Sequence, residues 1–90
     1  MREPHMPKVT IYTSSYCPYC ISAKRLLDKK GVMYEEISVD GQSAVRAEMT
    51  AKAGGRYTVP QIWIGNRHVG GCDELYELED AGRLDPLLAA

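Results

Sequence analysis

Apolar and polar positions recur along this chain with two different periods, and each change of period marks an element. Lys8 to Tyr12 predicts a strand, because Val9, Thr10 and Ile11 in succession suit an extended backbone. Thr13 to Tyr16 is a short polar connection. From about Pro18 to Lys30 the period becomes helical, with Ala23, Leu26 and Leu27 on one face at i, i+3, i+4 spacing. Pro18 fits a first turn, where no helical hydrogen bond is lost, and Gly31 fits the stop. Met33 to Val39 predicts a second strand, alternating around Tyr34, Ile37 and Val39. Ser43 is placed to cap a second helix that runs to about Ala53, with Val45, Met49 and Ala53 along one face. Gln61 to Ile64 and Arg67 to Val69 predict two strands joined by a Gly65-Asn66 hairpin turn. Asp73 is placed to cap a third helix through about Ala81. Asp85-Pro86 opens a last turn, packed down by Leu84, Leu87 and Leu88. The order is β-α-β-α-β-β-α, in which the first β-α-β unit is expected to be parallel and right-handed and the last two strands antiparallel.

Length and charge narrow the picture. Ninety residues allow one small domain, expected over residues 8–90, with residues 1–7 as a flexible leader that carries two prolines and no periodicity. A net charge of -1 advertises neither nucleic acid nor an anionic membrane. No apolar run approaches the roughly 20 residues of a membrane span. Three cysteines are an odd number, which argues against a fully paired secreted scaffold and for a reducing cytoplasm.

The chemistry concentrates in Cys17-Pro18-Tyr19-Cys20, at the predicted junction of strand and helix. Unpaired N–H groups and the dipole at a helix N-terminus favour negative charge, hence the thiolate form of the first thiol. The second thiol lies one turn on and is expected to be more buried. A zinc site is the plainest alternative, but it usually needs four ligands, and only Cys72, His5 and His68 remain, none with paired spacing. No metal is expected.

Two further segments carry signals. Thr58-Val59-Pro60 sets a proline at the mouth of a strand, where it is tolerated. A cis Val59-Pro60 bond would turn the backbone groups of Val59 outward to pair with an extended peptide. Gly70-Gly71-Cys72-Asp73 sets two glycines before a helix, a corner whose free N–H groups suit a carboxylate while Asp73 suits an ammonium group. A glycine turn with an ordinary N-cap reads the same residues more simply.

Together these three segments resemble glutaredoxin in order and spacing, over roughly Pro7 to Leu88. Gln61-Ile62-Trp63-Ile64 resembles the family's strand after the proline, with Trp63 where phenylalanine is common. The resemblance implies an α/β thioredoxin fold, a four-stranded mixed sheet flanked by three main helices. It implies a glutathione-dependent thiol–disulfide oxidoreductase acting on glutathione mixed disulfides and protein disulfides. Cys17 would be the nucleophile and Cys20 the resolving thiol. Tyr19 would flank the tripeptide, Val59 would pair with its cysteine, and Thr58 and Pro60 would lie beside it. Gly71, Cys72 and Asp73 would hold the γ-glutamyl end, and Arg56 the glycyl carboxylate. Glutathione would be co-substrate; glutathionylated and disulfide-containing proteins would be the partners of a monomer. One departure is Ser14, where many members carry a lysine whose charge supports the thiolate; its loss is worth about 1 kcal/mol at an exposed site. Two other functions stay open: a thioredoxin-like electron donor to an enzyme such as ribonucleotide reductase, and a glutathione-ligated [2Fe–2S] cluster carrier.

Overall fold

A computed structural model describes residues 7–89; the expected leader lies outside them except for Pro7. The elements are β1 (Val9–Thr13), α1 (Pro18–Lys29), β2 (Tyr34–Ser38), α2 (Ser43–Lys52), β3 (Gln61–Ile64), β4 (Arg67–Gly70), α3 (Cys72–Asp80) and a short α4 (Leu84–Ala89). This is the expected order with one short helix added, since the turn foreseen at Asp85-Pro86 is helical. The sheet order is β2-β1-β3-β4. Strand β1 pairs in parallel with β2, Val9 opposite Tyr34, and antiparallel with β3, Val9 opposite Ile64. Strands β3 and β4 form the antiparallel hairpin, with a register shift between Ile62 and Trp63.

Side chains alternate across the sheet and so define two cores. Val9, Ile11, Ile62 and Ile64 face one way and meet Ala23, Leu26 and Leu27 of α1, Cys72 and Leu75 of α3, and Leu84 and Leu88 of α4. Tyr12, Val39 and Trp63 belong to the other core, with Met49 and Ala53 from the α2 side. There Tyr12 meets the Trp63 ring edge-on at 5.4 Å between centroids. Strand β3 is buried along its whole length because both cores need it.

Three local expectations are corrected. Tyr34 packs with the α1–α3 core whereas Ile37 packs with the other, so the expected alternation around Tyr34, Ile37 and Val39 does not extend to Tyr34. Their separation is odd, and a strand's period of two puts odd neighbours on opposite sides. Ser43 is the first helical residue of α2, whose N-cap is Gln42 without a side-chain hydrogen bond. Asp73 likewise sits inside α3, whose N-cap is Gly71.

Candidate active site

The end of β1 hands the chain to α1 through Ser14–Tyr16. Ser15 pins this connection, donating from its N–H (2.8 Å) and its hydroxyl (2.6 Å) to one oxygen of Asp40. These two donors hold the Asp40 carboxyl below its ordinary range. Cys17 then becomes the N-cap of α1, and Pro18 opens the helix. The Cys17 sulfur accepts the Cys20 N–H at 3.1 Å, so the cap of the helix is the sulfur expected to be the nucleophile. Its S–H donates toward the Val59 carbonyl at 3.8 Å.

Cys20 lies in the same turn in a different medium. It is 1% exposed, against the half-buried Cys17. Burial, followed by the hydrogen bond with Cys17, pushes its thiol up to about 12. Cys20 is therefore a protonated thiol at neutral pH. Cys72 is also buried, and burial, then the charge of Asp73, raises its thiol.

A groove of about 270 Å³ opens beside Cys17, between the first turns of α1 and α3 and the segment before β3. Its walls are Tyr19, Arg56, Thr58, Val59, Pro60, Gly71, Cys72, Asp73 and Glu74. All eight residues expected to bind the tripeptide line it. The Val59-Pro60 bond is cis. Fully buried Gln61 supports this wall, donating to the Thr58 hydroxyl at 3.3 Å and bonding His68 Nε2 at 2.7 Å. Arg46 holds the same loop from outside, donating twice to the Tyr57 carbonyl at 3.1 and 3.0 Å.

The ninth wall residue, Glu74, was not foreseen. Its carboxylate accepts the Gly71 N–H at 2.7 Å and meets the Arg56 guanidinium at 3.3 Å. These contacts, the Gly71 N–H above all, lower the Glu74 carboxyl. The expectation of a free N–H at Gly71 is thereby corrected, since Glu74 already occupies it. Beyond Gly71, the N–H groups of Cys72 and Asp73 in the first turn of α3 have no intrahelical partner. The carboxylate and guanidinium lie directly over Gly70, where a Cβ would stand 2.7 Å from Glu74 Oε1 and 3.0 Å from Arg56 Nη1. Gly70 has φ +114°, and that backbone conformation is what favours glycine there, since the side-chain ends of Glu74 and Arg56 could shift aside. The signal for Glu74 was present in the sequence: a carboxylate three residues after an N-cap is half of a capping box. Arg56 thus stands at the Gly70–Gly71 corner, already paired.

Comparison with known proteins fits this geometry. The glutaredoxin family model matches residues 9–69. The chain belongs to the glutaredoxin family. It is 61% identical to a glutaredoxin of Pseudomonas aeruginosa over 85 residues, 94% of this chain and 100% of that one. It is 55% identical to glutaredoxin 3 of Escherichia coli, covering 92% of this chain and 99% of the other. A crystal structure of a buckwheat glutaredoxin–glutathione complex superimposes with a TM-score of 0.84 at 34% identity, covering 91% of this chain and 76% of that one. The fold is therefore the thioredoxin fold of glutaredoxins, and the chain is a thiol–disulfide oxidoreductase of that family. Among the described residues, no group of three or more His, Cys, Asp or Glu is placed to hold a metal ion, and no helix is long and apolar enough to cross a membrane.

Proposed function

We propose that this glutaredoxin reduces glutathione mixed disulfides, and protein disulfides, with glutathione as electron donor. The observation that carries this reading is the Cys17 sulfur, fixed at the α1 N-cap and 3.8 Å from the carbonyl of Val59 on the groove wall. The relative from buckwheat supports it, being described as a complex with glutathione. Cys17 thiolate attacks the glutathione sulfur of a mixed disulfide. A Cys17–glutathione disulfide forms, and the other thiol leaves and takes up a proton. A second glutathione thiolate then displaces Cys17 and carries the pair away as oxidised glutathione. With a protein disulfide, Cys20 gives up its proton and displaces the partner's sulfur from Cys17, leaving a Cys17–Cys20 disulfide for glutathione to reduce.

The groove sorts the tripeptide by its chemistry. Backbone groups of Val59, set by Thr58 and cis Pro60, pair with its cysteine, and Tyr19 covers it. The N–H groups of Cys72 and Asp73 take the γ-glutamyl carboxylate; the Asp73 carboxylate takes the ammonium. Arg56 supplies positive charge for the glycyl carboxylate and shares its guanidinium with Glu74. A monomer working in a reducing cytoplasm suits a dithiol that must be returned to its reduced form after each cycle.

The test is turnover of glutathionylated cysteamine, with glutathione and glutathione reductase supplying electrons, by wild type and Cys20→Ser. Both proteins are expected to turn over, with reduction of protein disulfides lost only in Cys20→Ser. Absence of turnover by wild type overturns the reading.

A further inference from the structure

Gln61 is the most deeply buried polar side chain among the described residues. It sits at 0% exposure at the head of β3, followed by buried Ile62, Trp63 and Ile64. Burying an amide costs free energy unless each end finds a partner. Both ends find one: the oxygen meets His68 Nε2 at 2.7 Å, and the nitrogen donates to the Thr58 hydroxyl at 3.3 Å.

These two bonds have directions. A Gln oxygen only accepts, so His68 Nε2 carries the proton between them. The imidazole is held in place by stacking on Trp63, with 4.6 Å between ring centroids and 28° between planes. Burial, followed by the charge of Arg56, lowers the His68 pKa, so the ring is neutral at pH 7. With its oxygen committed to His68, the amide turns its N–H to Thr58. The Thr58 oxygen therefore accepts a bond from inside the protein, and its own O–H has to point elsewhere. No acceptor among the described residues takes that O–H. Thr58 is exposed, and it lines the groove beside Cys17.

We propose that Gln61 and His68 are positioning residues that fix the Thr58 hydroxyl as a hydrogen-bond donor to an oxygen of the bound tripeptide, so that the groove favours a glutathione disulfide over one without the peptide. The inference rests on the glutathione reading above and deepens it by two residues outside the groove wall. His68 lines a separate hollow, with Arg67 and Glu77. A latch that merely held the loop would act on every disulfide that reaches Cys17. A directed hydroxyl acts on the tripeptide alone.

The experiment compares two disulfides that release the same thiol, glutathionylated cysteamine and cystamine. It uses pre-reduced Cys20→Ser protein, in which the exchange stops at Cys17. In both reactions Cys17 thiolate forms a new S–S bond, the old one breaks, and cysteamine leaves and takes up a proton. Mass identifies the adduct on Cys17. The ratio of the two rate constants is the preference, and it is expected to lie well above one. In this background Thr58→Val lowers it about fivefold, the size of one lost hydrogen bond, while Thr58→Ser keeps it within about twofold. Gln61→Glu also lowers it about fivefold, because a carboxylate accepts from His68 and from Thr58 and so turns the hydroxyl inward. Gln61→Met, which brings no charge into the core, leaves the hydroxyl undirected and lowers it about threefold. Added to Thr58→Val, either Gln61 substitution changes the preference less than about twofold further, since no hydroxyl remains to direct. A preference that survives Gln61→Glu or Gln61→Met, or one that falls as far in the Thr58→Val background as without it, overturns the proposal and leaves the glutathione reading standing. A ratio near one before any change at Thr58 or Gln61 overturns both.

Discussion

The N-termini of α1 and α3 border the same groove and are closed in opposite ways. At α1 the cap is the Cys17 sulfur, which accepts the Cys20 N–H and remains half exposed. At α3 the cap is glycine, and the orphan N–H of Gly71 is taken by the Glu74 carboxylate, itself paired with Arg56. A helix N-terminus stabilises negative charge in either case. At α1 the capping atom is a sulfur that a ligand in the groove can approach. At α3 the charge is internal, and Glu74 leaves the N–H groups of Cys72 and Asp73 without an intrahelical partner. The same local physics leaves a half-exposed sulfur at one helix start and an internally paired carboxylate at the other.

Substitutions that separate capping from chemistry sharpen this contrast. Cys17→Ser keeps a good N-cap residue and removes the sulfur. Its thermal midpoint is expected to stay near that of wild type while kcat/KM for a glutathione mixed disulfide falls at least about 10³-fold. A large drop in the midpoint would show that the sulfur does more for the helix than a hydroxyl can. Both helix starts depend on the core beneath them, where Leu27 and Leu75 are fully buried. Leu27→Ala and Leu75→Ala should each cost about 3 kcal/mol in denaturant unfolding. If one costs under about 1 kcal/mol, its helix is not anchored as described.

The pH dependence of stability is expected to divide between the two ends. Cys20 has a folded value raised from 9.0 to about 12, so its contribution is complete below pH 9 and is lost as pH rises toward 12. Unfolding of wild type and Cys20→Ala compared from pH 8 to 11 should show the steeper alkaline decline in wild type; parallel curves would contradict the burial of that thiol. Glu74 behaves oppositely, its folded value being lowered from 4.5. Its contribution is present above pH 4.5 and disappears as pH falls through the folded value. Glu74→Ala should therefore destabilise by about 1 kcal/mol at pH 7, the size of a lost cap, with the gap closing in acid. An acid-independent gap would point to packing in place of charge.

Much of the site was legible because its signals are local. Cys17-Pro18-Tyr19-Cys20 announces a helix start by proline and spacing, and the groove walls lie where the Thr-Val-Pro and Gly-Gly-Cys-Asp segments suggested. Glu74 is less legible because Asp73 beside it also suits a helix start, although a carboxylate at the third helical position is the commoner partner of an N-cap N–H. The alternation expected around Tyr34, Ile37 and Val39 holds for the last two, whereas Tyr34, an odd number of residues away, packs into the other core.

The sequence by itself determined the order of elements, the helix on which the dithiol sits and the family to which the chain belongs. The first two follow from side-chain periods and from residues within one turn of each other, and the family from the resemblance of three separated segments. Tertiary structure decided the rest. The sheet order β2-β1-β3-β4 carries Val59 to Cys17 across 42 residues, and the packing of α3 brings Glu74 to Arg56 across 18. Neither meeting leaves a trace in local pattern. Each depends on where whole strands and helices come to rest, which is fixed by the burial of two cores on opposite sides of one sheet.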